Sequence, residues 1–106
     1  MYAPNYQQYA ERLRIYRYRG EFGAADAYAL KNELLAETAE QLFIDLSDVT
    51  KVDLIAINAL ALAHKHKNLK VVMPKSAQGR HIFHITKFDL IFNIISSIPD
   101  YLYNYE

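Results

Sequence analysis

A chain of 106 residues suits one compact domain, long enough to bury roughly 65% of the surface its unfolded form exposes, and leaves no room for a second. Twelve Lys and Arg balance twelve Asp and Glu, which argues against a global field steering the protein toward nucleic acid or an anionic membrane. Cysteine is absent, so disulfides and thiolate metal sites are excluded, and the longest apolar run, residues 54–63, falls far short of the roughly 20 needed to span a bilayer. Together with a polar, aromatic amino-terminal stretch unlike a secretory signal, these properties lead us to expect a soluble, cytoplasmic protein that is not an integral membrane protein.

Residues 1–10 hold Pro4 and three tyrosines without a period, and read as an arm or a short edge strand. Over residues 12–18 the side chains alternate, with Leu13 and Ile15 on one face and Arg12, Arg14, Tyr16 and Tyr18 on the other. This predicts a strand with one wet face, ended by Gly20. Asp26 is the predicted N-cap of a helix reaching about Thr38, with Ala27, Leu30 and Leu34 inward and Lys31, Glu33 and Glu37 outward. The near-continuous apolar run of 41–46 predicts a central strand paired on both sides, followed by an acidic loop to Asp53. A second helix should run from near Asp53 to Asn68, where Lys65, Lys67 and the Asn suit a carboxyl end. Residues 69–73 should be a short strand closed by Pro74. Ser76 should cap a third helix carrying Ile82, Phe83 and Thr86, and 88–95 should pack on the core as a short helix or strand. The tyrosine-rich tail, 99–106, is left unassigned. Strands alternating with helices predict an α/β sheet with parallel pairs.

Several separate stretches carry a resemblance. Gly20-Glu21-Phe22 looks like a Gly-Glu-Leu turn, Asp26 falls where an Asn or Thr often opens the next helix, and Ile44-Asp45-Leu46-Ser47 with Val49 forms a central-strand signature. Ile82, Phe83, Ile85, Phe88 and Phe92 then keep the spacing of a third helix and the motif after it. In this order they resemble the STAS domain, the module shared by anti-sigma factor antagonists and sulfate transporters, over about residues 13–94. Each stretch alone is weak; their agreement in order makes the likeness specific. The chain departs from the family at Gly23, where an Asp is usual, at Lys87, where a Gly is common, and at Leu54-Ile55-Ala56. There, signalling members follow the Asp with Ser, then Ser or Thr, then Gly.

The resemblance implies an α/β fold with a small mixed β-sheet and about four helices mostly on one face. It implies a single domain with a core of about 12–95, no cofactor and no catalysis. The implied function is that of a protein-interaction module, its partner an anti-sigma factor of the histidine-kinase-like ATPase type. The alternative keeps the fold as a cytoplasmic subunit regulating a membrane transporter ATPase or permease. A small-ligand or lipid-binding module, suggested by the tyrosine-rich surface, is the weaker alternative. Oligomeric state is left open, a dimer included.

In phosphorylatable members the second hydroxyl after the Asp accepts a phosphate at a helix amino terminus. Unpaired amides tolerate the charge there, about −1.5 to −2, while that charge expels the partner. Ile55 stands at that position and neither it nor Leu54 can be phosphorylated. The expected partner-binding residues are Asp53, Leu54, Ile55, Ala56, Asn58, Ala59 and Leu62. Asp53 would cap the helix, Ile55, Ala59 and Leu62 would form an apolar stripe, and Asn58 would add a directional hydrogen bond. A second stripe, Leu54, Ile57, Leu60, Ala61 and His64, should face the core. Were Ile55 buried, it would merely extend that core.

Other constellations have plainer readings. Asp45 and Asp53 could be paired carboxylates or cation ligands, but Asp45 is expected to end a strand and Asp53 to cap a helix. Ser47 and Thr50, the hydroxyls nearest the lost acceptor, are expected to satisfy loop backbone. His64 and His66 point to different helix faces, and His81 with His84 lacks a third ligand, so no metal is expected. The arginines and tyrosines of 12–19 interleave as in nucleic-acid platforms, yet with the neutral total charge they are expected to shield an uncovered sheet face. No Gly-rich phosphate loop or nucleophile elbow is present.

Overall fold

The computed structural model describes residues 13–105. In chain order they form β1 (Leu13–Phe22), α1 (Ala24–Ala36), β2 (Gln41–Val52), α2 (Leu54–His66), β3 (Leu69–Val72), α3 (Ala77–Thr86), a 3-10 turn (Phe88–Leu90), β4 (Asn93–Ile95) and a 3-10 tail (Asp100–Tyr105). The strands lie in the order β1-β2-β3-β4 and every described pairing is parallel, as strands joined by helical crossovers must be. The α/β class expected from the sequence is the one found, with three α-helices and two 3-10 segments. The arm or edge strand expected in residues 1–10, and Arg12, lie outside the described residues. Among those residues no helix is long and apolar enough to cross a membrane.

β2 is buried almost continuously from Leu42 to Leu46 because both faces of the sheet are covered. Leu42, Ile44 and Leu46 join Leu69 and Val71 beneath Ala27, Leu30 and Leu34 of α1 and Ile57 and Leu60 of α2. On the opposite face Leu13, Ile15, Phe43 and Val72 form a smaller core closed by Ile98, with Leu102 and Tyr103 of the 3-10 tail packed against it. The expectation of a wet strand face is therefore corrected. Tyr16 and Tyr18 pack against the helix-side core, Tyr18 meeting Phe22 edge-on at 4.8 Å, and the tail covers the other face. Burial, with the neighbouring Glu33 and Glu37 charges, pushes the Tyr16 hydroxyl up to about 12.

Three expected boundaries shift. Gly20 does not end β1, because β2 continues past Leu46 through the supposed acidic loop and supplies pairing partners as far as Val52. Irregularities between Arg17 and Arg19 and between Gly20 and Glu21 bend the pair, and Gly20 takes the left-handed φ of 71° that glycine adopts without steric cost. Asp26 is not the cap of α1: Gly23 is, and Asp26 accepts the Gly23 N–H from three residues inside. Asp45 lies within β2 rather than at its end. After β2 the Asp53 N–H donates to the Phe22 carbonyl at 3.2 Å, and Phe22 is fully buried. The start of α2 is thus tied to the carboxyl end of β1.

Candidate functional site

Asp53 caps α2 as expected, its Oδ1 accepting the Ile55 N–H at 2.9 Å, while its carbonyl accepts the first helical bond from Ile57 at 3.1 Å. The inward arc of α2 is set by Ala56, Ile57, Ala59, Leu60 and Ala63. At about 100° per residue the exposed positions, Leu54, Ile55, Asn58, Leu62, Lys65 and His66, share one arc on the opposite side. Ile55 is 48% exposed, Leu54 46% and Leu62 48%. The burial reading of Ile55 is therefore set aside.

Two expected contact residues leave the surface: Ala56 is fully buried and Ala59 is 2% exposed, so neither can touch a partner directly. Leu54, expected both in the core-facing stripe and among the contact residues, lies outward at 46% exposure. The cause lies in the alanines, whose small side chains carry little pattern but fill the close-packed side of the helix. Ile57 and Leu60 are buried as expected, and Ala61 and His64 are half-buried.

Phe88 and Ile91 were not among the expected site residues. They close a groove of about 370 Å³ against Asn58, Ala61, Leu62, His64 and Lys65 of α2. The His64 Nδ1 accepts the Leu69 N–H at 3.1 Å, which leaves Nε2 as the ring's donor, and its ring stands 5.5 Å from that of Phe92. Leu90 and Ile91 next to it are 79% and 51% exposed. A sequence signal existed: from Leu54 to Phe88 there is no Asp or Glu, whereas six Lys or Arg and all four histidines fall there. Summing charge over the whole chain concealed it.

Lys87, after α3, is left-handed at φ 61°, the conformation in which glycine is favoured. The ring of His84 meets Asp89 at 2.9 Å. Among the described residues no three potential ligands cluster around a metal position. Ser47 and Thr50 lie in β2; the Ser47 carbonyl accepts from Lys75 N–H at 3.1 Å, and Thr50 is exposed.

A second polar feature lies across the sheet, where Arg17, Asp45, Ser47, Lys75 and Tyr103 line a cavity of about 300 Å³. Asp45 is buried and accepts the Ser47 N–H at 3.0 Å and the Tyr103 hydroxyl at 2.8 Å. Arg17 stands 3.6 Å from it and over the Tyr103 ring. Burial would raise the Asp45 carboxyl, but the Ser47 and Tyr103 hydrogen bonds and the Arg17 charge outweigh it and hold the carboxyl below its ordinary range. A group depressed in the folded state stabilises above its unfolded value, about 4, and loses that contribution as pH falls below it. Urea midpoints should therefore drop between about pH 5 and pH 2, and drop less steeply in Asp45→Asn. Parallel curves for the two proteins would show that Asp45 does not fasten the tail.

Comparison with known proteins places this geometry. The family model of the STAS domain matches residues 4–101. An anti-sigma factor antagonist from Mycobacterium paratuberculosis superposes with a TM-score of 0.70 at 23% identity, covering 89% of this chain and 86% of its own. A Thermotoga maritima protein described as an anti-sigma factor antagonist gives 0.69 at 18% identity, covering 89% and 87%. At these identities the two structures share the fold. Among curated proteins there is no match.

Proposed function

The chain belongs to the STAS domain family, and on that premise we propose that it is a non-catalytic module docking a protein partner through the outward face of α2, without phosphate control. The observation that carries this reading is the exposure of Leu54, Ile55 and Leu62 on one face beside Asn58. Three large apolar side chains on a single helix face are the kind of patch that marks an interface. Asp53 is engaged in capping, its Oδ1 accepting the Ile55 amide, which supports a docking role for this face over a chemical one. At the family's acceptor position Ile55 offers hydrocarbon, so a partner held there would not be released by a phosphate on that residue.

The partner proposed is an anti-sigma factor of the histidine-kinase-like ATPase type. With that protein purified from the same cell, Ile55→Asp should weaken the complex at least tenfold, about 1.4 kcal/mol, while leaving the unfolding midpoint unchanged because the side chain is half exposed. An unchanged Kd would remove this face from consideration. Phosphate found on Ser47 or Thr50 after incubation with the ATPase and ATP would overturn the absence of phosphate control. Capture of a membrane transporter ATPase in place of a soluble one would reassign the module to transport regulation.

A further inference from the structure

The neutral total charge of the chain hides a segregation. Glu21, Asp26, Glu33 and Glu40 stand exposed on β1, α1 and the turn after it, whereas α2 and α3 contain no carboxylate at all. Next to the groove formed by α2 and the 3-10 turn the cations are uncompensated. Lys65 lines it and Lys87 immediately precedes Phe88; both are exposed and neither has a carboxylate partner among the described residues. Asp89, the acid of the 3-10 turn itself, points to His84 at 2.9 Å and makes no ion pair with either lysine among the described residues. Lys67 is also committed, donating to the Glu37 carbonyl at 2.8 Å.

From this juxtaposition we propose that the groove takes an acidic amphipathic helix of a protein partner. One or two of its apolar side chains would enter between Leu62 and Ile91, and its carboxylates would face Lys65, Lys87 and the remaining ring donor of His64. This deepens the docking function proposed above and rests on it. Complementary charge selects the partner and speeds encounter, and helix-in-groove docking requires an apolar trough with a polar rim. Concavity favours a protein segment over a lipid surface. About 370 Å³ lies within the range of pockets that enclose a ligand, and a flat headgroup layer would leave that volume unfilled. The acids on α1 would repel a partner approaching the other side of the helix layer, so the segregation also sets orientation.

The test is an amide-shift titration of the isotope-labelled full chain with three probes: a synthetic helix of Leu and Glu, the same helix with Lys for Glu, and phosphatidylglycerol vesicles. The Leu/Glu helix should shift amides of 58–65 and 88–92. Its affinity should fall roughly tenfold as salt rises from about 50 to about 500 mM. Leu62→Asp and Lys65→Glu, both at exposed positions, should abolish the response, and Ile55→Asp should retain it. No localised response to the Leu/Glu helix, an equal response to the Leu/Lys helix, or a stronger response to the vesicles would each overturn the proposal. If the native partner is weakened by Ile55→Asp while the Leu/Glu helix stays silent, the docking face stands and its acidic occupant does not.

Discussion

Phe83→Ala should cost about 3–5 kcal/mol, a large share of the roughly 5–15 kcal/mol that holds a domain folded. α3 buries only Gly79 and Phe83, so one ring anchors the helix. That ring is fully buried and meets Phe92 edge-on at 6.2 Å between centroids; Phe92 in turn stands against His64 of α2 and Phe88 of the 3-10 turn. Truncation leaves a cavity at the point where three elements converge, and neither Gly79 nor the half-buried Ile82 can fill it. Urea denaturation checks this, with Ile85→Ala as the companion. Ile85 is 63% exposed and its truncation should move stability by no more than about 0.5 kcal/mol. Equal effects of the two substitutions would show that α3 is not held through Phe83. Because Phe88 and Ile91 follow directly, the cavity should also loosen the groove, visible as faster amide exchange over 88–92.

The second large effect reverses an ordinary expectation. In a helix, Ala in place of Gly is normally worth about 1 kcal/mol of added stability; Gly79→Ala should instead cost about 1–3 kcal/mol. A Cβ at that position would stand 2.7 Å from the Pro74 Cβ, 2.8 Å from the Ser76 Oγ and 2.9 Å from the Val49 carbonyl oxygen. A proline ring and a strand carbonyl cannot swing aside as a long flexible side chain would. Ser76 cannot move freely either, because its Oγ caps α3 by accepting the Gly79 N–H at 2.9 Å, a bond worth about 1 kcal/mol. The close approach binds the start of α3 to β2, and the methyl group would prise them apart. A melting temperature equal to or above that of the parent protein would show that the contact relaxes without penalty.

Much of the fold was legible because its signals are local and redundant. Ser76 and Asp53 announced their helices by capping chemistry, and Ala27, Leu30 and Leu34 fell on one face by spacing alone. The faces of β1 were not legible in the same way. Alternation separates two sets of side chains, but which set meets solvent depends on what covers the second face. That cover is the 3-10 tail, a segment without period whose docking rests on contacts between Tyr103 and Asp45, far apart in sequence. The site was half legible. The missing hydroxyl at Ile55 and the cap at Asp53 could be read directly, whereas placing Ala59 inward and Leu54 outward required knowing where the sheet lies beneath α2. Phe88 and Ile91 needed the fold to bring them to α2. The absence of acids between Leu54 and Phe88 required only a local count of charge.

The parallel order of the strands bears on how the chain reaches this state. Leu13 pairs with Gln41, Leu42 with Leu69 and Lys70 with Asn93, so no strand in the described sheet can zip to its neighbour through a hairpin. Each rung requires a helical crossover to be in place, or to form together with it, and a long loop to close before any ladder bond repays the entropy. α1 and α2 are therefore parts of the kinetic route as well as cover for the sheet. A change that weakens either should slow the joining of β2 to its neighbours before it disturbs any contact the finished fold displays.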